Sequence, residues 1–368
     1  MLQAHCSVYA RVVRGIIELY EDLIMSRSRG MGGMTFAPQV LAETLSETAG
    51  YKSGLALSLE DLYTHLDSLR DKELIRASEV NHVRLCSEEY DELFYRLLHR
   101  IGHTAEQFNG DITGAWLYHK YQGTHLTEYL GVLDLFVKIM PMMMARAKEA
   151  GSRKIDPRPF LDASEKAFGA VGLDIAMEKL DAIDRGQRLS PHTGLRYVEW
   201  NSRVPLADLF KGSNEPPELG RFIDQRFIDY LQRQEDRLPE MHWRKFEELT
   251  AEFFHREGFR VELGPGSNDD GVDVRVWKAG DAEISNPHLI AQCKRQKAKV
   301  EKVVVKGLYA DVTHEGADYG LIVTTSELSP GARTVISTRG YPIQEIDREG
   351  ISKWLQKLRT PGTGIVRV

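Results

Sequence analysis

The sequence predicts an α+β protein of several domains: a mostly helical first two thirds, then a C-terminal third in which helices cover both faces of a sheet. Three observations carry this. Apolar residues recur at helical spacing over most of residues 5–236, and from Trp243 the pattern changes to short apolar strands alternating with helices. The chain has 368 residues, 42% of them apolar, enough for two or three separate cores.

Taken in order, Val8, Val12, Ile16, Tyr20 and Leu23 share one face and predict a helix over residues 6–23. A second helix is expected from Ala37 and Pro38 to Gly50, with Val40, Leu41 and Leu45 inward. Ser58 followed by Asp61 marks a third start, and Leu59, Leu62, Leu66 and Leu69 carry that helix to Lys72. The runs LIRASEV and VRLCS around Asn81 and His82 then read as a β-hairpin. This pattern resembles a winged helix-turn-helix domain over about residues 5–100. Its third helix carries Glu60, Asp61, Asp67 and Asp71 against Arg70 and Lys72, which suits a phosphate-lined groove poorly. A protein-contact or scaffolding role is therefore expected there ahead of DNA reading.

Residues 102–240 favour helices again, with breaks over 151–159, 186–194 and 212–217. Met140, Met142, Met143 and Met144 are expected to fill core space. The stretch RGQRLSPHTGLRYVEWNS holds Arg196, Tyr197 and Trp200, residue types that can stack on a nucleotide; a solvated loop with a buried Trp is the plainer expectation. The expected domains are residues 1–101, 102–240 and 241–368.

The last third reads as a helix over residues 243–258, strands over 259–263, 272–277 and 289–295, and then helix, strand, helix, strand and helix to residue 358. The polar residues inside its strands are informative. Asp273 opens the second strand; Gln292 and Lys294 lie two apart on the third and share a face, with Cys293 pointing the other way. A Gln and a Lys inside an apolar strand are costly unless paired, so their presence asks for a chemical reason.

Phosphodiester hydrolysis supplies one, since it needs a hard cation to neutralise charge on the phosphorus oxygens and to activate water. Magnesium prefers oxygen ligands. In this reading Asp273 is the anionic ligand, Gln292 lends its side-chain oxygen, the Cys293 carbonyl adds another, and Glu247 on the preceding helix contributes through a metal-bound water. Lys294 orients the attacking water, helps deprotonate it or stabilises the transition state, three alternatives that the sequence leaves open.

The ordered segments FEELTAEFF, GSNDDGVDV, IAQCKR and LIVTTSELSPGA resemble the catalytic domain of Mrr-type restriction endonucleases, a branch of the PD-(D/E)xK nucleases, over about residues 241–358. The resemblance places the family's essential Asp on Asp273, its QxK on Gln292 and Lys294, its helical Glu on Glu247, and an earlier acidic residue on Asp269. Asp270 stands where the family often has Gly, so Asp269 and Asp270 are candidate helpers whose roles stay open. It also implies a three-layer α/β/α core, Mg²⁺ as cofactor with Mn²⁺ as the substitute ion, and double-stranded DNA as substrate. Glu248, beside Glu247, reads as an ordinary helix residue. Lys297, Lys299, Lys302 and Lys306 are candidates for steering phosphates, and Thr324 and Thr325 for approaching the backbone or capping a strand.

Composition bounds the rest. The formal net charge of -6 argues against coating nucleic acid by bulk electrostatics. The acidity sits in residues 1–240, with 36 acidic against 29 basic side chains; from Met241 the counts are 18 and 19. Cys6, Cys86 and Cys293 are too far apart for a zinc site or a disulfide framework. No apolar run of spanning length and no secretory pattern appears, so a cytoplasmic protein without a membrane partner is expected. The expected function is a Mg²⁺-dependent DNA endonuclease in restriction or anti-phage defence, its front region controlling where or when it cuts. The alternative is a winged-helix regulator, binding DNA or a partner, whose nuclease fold does not cut. A homodimer or higher oligomer is expected because one active site per chain must serve two strands, and an activating protein or nucleotide is a candidate partner.

Overall fold

A computed structural model describes residues 33–110, 115–152, 154–197, 199–266, 271–280 and 286–359. The helix expected over residues 6–23, Cys6, Asp269 and Asp270 lie outside the described residues.

The front of the chain runs β1 (Gly33–Phe36), α1 (Val40–Ser53), β2 (Leu55–Ala56), α2 (Leu59–His65), α3 (Leu69–Val80), β3 (Val83–Cys86) and α4 (Ser87–Arg100). Two expectations are corrected here. The single helix over residues 59–72 is two helices, because Leu66 adopts extended backbone and Ser68 caps a new start by accepting from the Asp71 amide at 2.9 Å. LIRASEV is not a strand: it completes α3, whose Asp71, Ile75 and Ser78 form one buried helical face. Only VRLC is a strand, and it pairs antiparallel with β1 rather than closing a hairpin. Three of the four acidic residues expected to repel DNA have partners within the fold: Asp61 completes a capping box with Ser58, Asp67 pairs with Arg100 at 2.9 Å, and the buried Asp71 with Arg96 at 3.0 Å.

The middle holds α5 (Ala115–Tyr121), α6 (Leu126–Glu149), α7 (Arg158–Leu189), β4 (Val204–Pro205), α8 (Asp208–Lys211), α9 (Gln225–Arg233) and a 3-10 turn (Glu235–Glu240). Helices α6 and α7 pack on each other around a cluster of their own, built on Tyr129, Val132, Phe160 and Ile175. Gly131 lets them close, since a Cβ there would overlap the Phe168 ring. The methionines only partly fill this core: Met143 is buried, whereas Met142 and Met144 are 40% and 55% exposed. After the break over residues 212–217 the helix begins only at Gln225, where Asp224 accepts from the Arg226 amide at 3.1 Å.

The C-terminal third runs α10 (Trp243–Arg256), β5 (Arg260–Leu263), β6 (Val274–Trp277), β7 (Leu289–Lys294), α11 (Lys302–Glu315), β8 (Tyr319–Thr324), α12 (Pro330–Arg339), β9 (Ile343–Ile346) and α13 (Arg348–Leu358), in the order read from the sequence. Among the described residues its strands form one five-stranded sheet, β5-β6-β7-β8-β9, antiparallel across the first three and parallel from β7 to β9. Val274, Val276, Leu289, Ala291, Leu321 and Val323 pack on the face shared with α10 and α13, and Ile290 and Ile322 on the face shared with α11 and α12. This is a sheet between two helical layers. The first of these apolar clusters continues through Phe227, Ile228 and Leu231 of α9 into Phe94, Leu97 and Leu98 of α4, joining the described front region to the C-terminal third.

Candidate active site

Helix α10 sets the first group. Glu247, Thr250, Ala251 and Phe254 fall on one helical face and all are buried, although two of the four are polar. Each polar member has a use. Thr250 donates to the Phe246 carbonyl at 3.1 Å, and the Cys293 thiol donates to its hydroxyl at 3.4 Å. Glu247 points at Asp273. Its neighbour Glu248 pairs instead with Lys245 at 2.8 Å, so of the two adjacent acids only Glu247 meets Asp273.

Asp273 stands at the head of β6, where its amide donates to the Ala291 carbonyl at 3.0 Å and one carboxylate oxygen accepts from the Cys293 amide at 2.6 Å. These two bonds fix it against β7. The Glu247 carboxyl faces that of Asp273 within hydrogen-bonding reach. Burial, and then the charge of Asp273, push the Glu247 carboxyl up to about 8, against the pull of the Arg244 guanidinium, which donates to it at 3.0 Å. Arg244 also donates to the Gly264 carbonyl at 2.8 Å and so ties the helix to the end of β5.

On β7, Gln292 and Lys294 lie on the face of Ile290, and Cys293 on the opposite face against α10, as the alternation of the strand requires. The Gln292 side-chain oxygen is buried and has no hydrogen-bond partner among the described residues. Its amide nitrogen lies against Gly271, where a Cβ would come within 2.8 Å; with φ +91° as well, that position accepts glycine alone. Lys294 makes no side-chain hydrogen bond or ion pair among the described residues, while its carbonyl accepts from the Thr324 hydroxyl at 2.8 Å. Burial and the charge of Asp273 hold the Cys293 thiol well above the usual thiol range, which leaves it inert. The charges of Asp273, Glu247 and Lys294 all act on that thiol, so the three surround one point of β7.

The structure thus joins Glu247 to Asp273 directly, sets Gln292 against the glycine that leads into Asp273, and places Lys294 beside Gln292 without contact to the carboxylates. No group of three or more His, Cys, Asp and Glu side chains suited to a metal occurs among the described residues. Two buried carboxyl groups that face each other and a carboxamide oxygen unpartnered among the described residues nonetheless fit a hard divalent ion, which would fill the empty acceptor and draw the pair to its charged form. Residues not singled out from the sequence complete the surroundings. Arg244 lies three before Glu247, a spacing that could have pointed to it. Asp311 of α11 would lie 3.9 Å from a Cβ at Gly271, and no local pattern marks it. Thr324 and Thr325 are buried; they bind the backbone of Lys294 and Gln296, tying the ends of β7 and β8 together. Lys299 pairs with Glu327 at 2.8 Å.

Residues 238–355 match a family model, Mrr_cat, described as a restriction endonuclease. This stretch is a restriction-endonuclease domain of the Mrr type. The match covers the whole of the α10–β9 arrangement and all four residues discussed above. Uncharacterized protein y4cE of Sinorhizobium fredii is 29% identical over 141 residues, which are 38% of this chain and 32% of that protein. The alignment therefore spans about a third of the relative's length. A solved structure, MspJI restriction endonuclease in complex with a 27-mer oligonucleotide, is 22% identical, with a TM-score of 0.26 over 51% of this chain and 43% of its own. Among the described residues no helix is long and apolar enough to cross a membrane.

Proposed function

We propose that this protein is a divalent-metal-dependent DNA endonuclease whose active site comprises Asp273, Gln292, Lys294 and Glu247. The observation that carries the reading is the buried Glu247–Asp273 pair beside the unpartnered Gln292 oxygen, inside a stretch that matches a restriction endonuclease. A buried pair of like charges is unfavourable for folding, and it is suited to holding a cation.

A bound Mg²⁺ or Mn²⁺ would supply Lewis acidity at the scissile phosphate and a more acidic water. Asp273 and Gln292 would hold it, with the Cys293 carbonyl and Glu247 in support. The Cys293 amide fixes the Asp273 carboxylate so that it need not reorganise during the reaction. Arg244 orients Glu247 and tempers the repulsion between the two acids. Lys294 carries a charge committed to no partner among the described residues and adjoins Gln292; in this site it orients the attacking water or stabilises charge on the phosphate. The front of the chain, joined to the nuclease domain through α9, would set where or when the site acts, in restriction or phage defence. A dimer would supply the second active site needed to cut both strands.

The test is cleavage of supercoiled plasmid, unmethylated and methylated, with Mg²⁺ or Mn²⁺. Wild-type protein is expected to nick and linearise it, and Asp273→Ala and Lys294→Ala to do neither. Equal background from all three proteins on every substrate would end the assignment.

A further inference from the structure

Helix α6 is covered on one side, although its sequence is apolar on every side. From Tyr129 to Ala145 only Asp134 and Lys138 carry charge. A helix that is apolar all round belongs in an interior. Here Tyr129, Val132 and Met143 are buried in the cluster shared with α7, while Val137 is 71% and Met144 55% exposed. The cleavage chemistry makes no use of this surface.

The exposed residues are ordered rather than scattered. At about 100° per residue, Val137, Pro141, Met144 and Ala145 fall on one stripe of the helix, opposite Val132 and Met143. All four are exposed. Single exposed apolar side chains are ordinary, but a continuous stripe marks a contact surface. Methionine suits such a surface, since its flexible thioether side chain adapts to what it meets.

Charge names the partner. Asp134 and Lys148 close the two ends of the stripe, each seven residues from Pro141, and the stripe between them is about 21 Å long. Lys148 makes no side-chain hydrogen bond or ion pair among the described residues. Asp134 meets Lys138 of its own helix at 2.5 Å, which leaves acceptor positions on its carboxylate. A face that is apolar in the middle, negative at one end and positive at the other is complementary to itself turned end for end. When two copies of α6 cross antiparallel about a two-fold axis at Pro141, each Asp134 lies beside the partner's Lys148. Val137 then meets the partner's Ala145, and the Lys138 stem lies along the partner's Met144. An interface between identical subunits requires this self-complementarity, whereas a foreign partner does not.

We propose that α6 is the surface through which two copies of this chain pair, antiparallel, with Pro141 at the two-fold axis. The pairing stands on this helix alone; its meaning, a second active site for the second DNA strand, rests on the nuclease reading.

The test is sedimentation velocity of the full chain over a range of concentrations. Wild type is expected to dimerise. Val137→Glu should weaken the dimer at least about tenfold by burying a charge in the apolar centre. Asp134→Lys and Lys148→Asp should each do the same, because either sets like charges together twice, once on each side of the axis. An equal mixture of those two variants should dimerise again, since every pair across the axis then joins opposite charges. Circular dichroism identifies a variant that has not folded, and the remaining substitutions then decide. A monomeric wild type overturns the proposal and gives the face to another occupant, residues 1–32 or a different protein. A dimer that survives all three substitutions overturns it too, because it would use another surface, and so does a mixture of folded charge variants that stays monomeric. Asp273→Ala should dimerise like wild type whether or not DNA is cut, so failure here and failure of the nuclease reading are told apart.

Discussion

Helix α10 presents two buried carboxylates five residues apart, and they are treated in opposite ways. Glu252 accepts the amides of Arg221 and Phe222 at 2.9 and 2.7 Å and the Arg256 guanidinium at 2.7 Å. Its oxygens are filled by groups of the protein. Glu247 has Arg244 on one side and a second carboxylate, Asp273, on the other. A buried acid whose acceptors are satisfied fixes a fold, whereas one held against another acid keeps a site for a cation. Burial alone, at 1% and 6% exposure, does not separate the two.

Substitution should separate them. The largest effect is expected at the cleavage site: Asp273→Ala or Lys294→Ala lowers the rate of plasmid cleavage by at least about 10²–10³-fold, with the fold intact by circular dichroism. Glu252→Ala comes next and acts on stability, costing about 3 kcal/mol in urea denaturation because it strands Arg256 and two amides. A smaller cost, with cleavage lost instead, would reverse the roles assigned to the two acids.

Titration of Mg²⁺ or Mn²⁺ into the metal-free protein should raise its stability by about 2.7 kcal/mol at a hundredfold excess over Kd, and Asp273→Asn should abolish that gain. Glu247→Gln is predicted to stabilise the metal-free protein even as it impairs cleavage. The Glu247 carboxyl is raised from 4.5 to about 8, so folding takes up a proton between those values. The stability it lends is fully present below pH 4.5 and is lost as pH rises through about 8. The advantage of Glu247→Gln should therefore grow over that interval and level off above it. The smallest effect is that of Thr324→Val, about 1 kcal/mol for its bond to the Lys294 carbonyl.

How much of this was legible depended on whether a signal was local. Strands such as YGLIVTT and the helix WRKFEELTAEFFHREG carry their periodicity in a few residues, and each lies within a residue or two of its place. The face shared by Gln292 and Lys294 follows from strand alternation alone. LIRASEV misled because a seven-residue run of mixed residues fits a strand or a helical turn equally well. The choice was made by Ser68 capping upstream and by the burial of Ile75 and Ser78. Asp67 and Asp71 looked like an acidic surface because their partners, Arg100 and Arg96, are far along the chain.

The sequence by itself determined the order of elements in the last third, the resemblance of that third to a restriction endonuclease, and the candidate residues Asp273, Gln292, Lys294 and Glu247. These rest on patterns a few residues long, which survive whatever the rest of the chain does. Only the tertiary structure decided that the Glu247 and Asp273 carboxyls meet, that the Gln292 oxygen has no partner among the described residues, and that α9 closes a cavity against α10. Each of those depends on groups brought together from distant parts of the chain, where burial removes the water that would otherwise screen a charge or satisfy an acceptor.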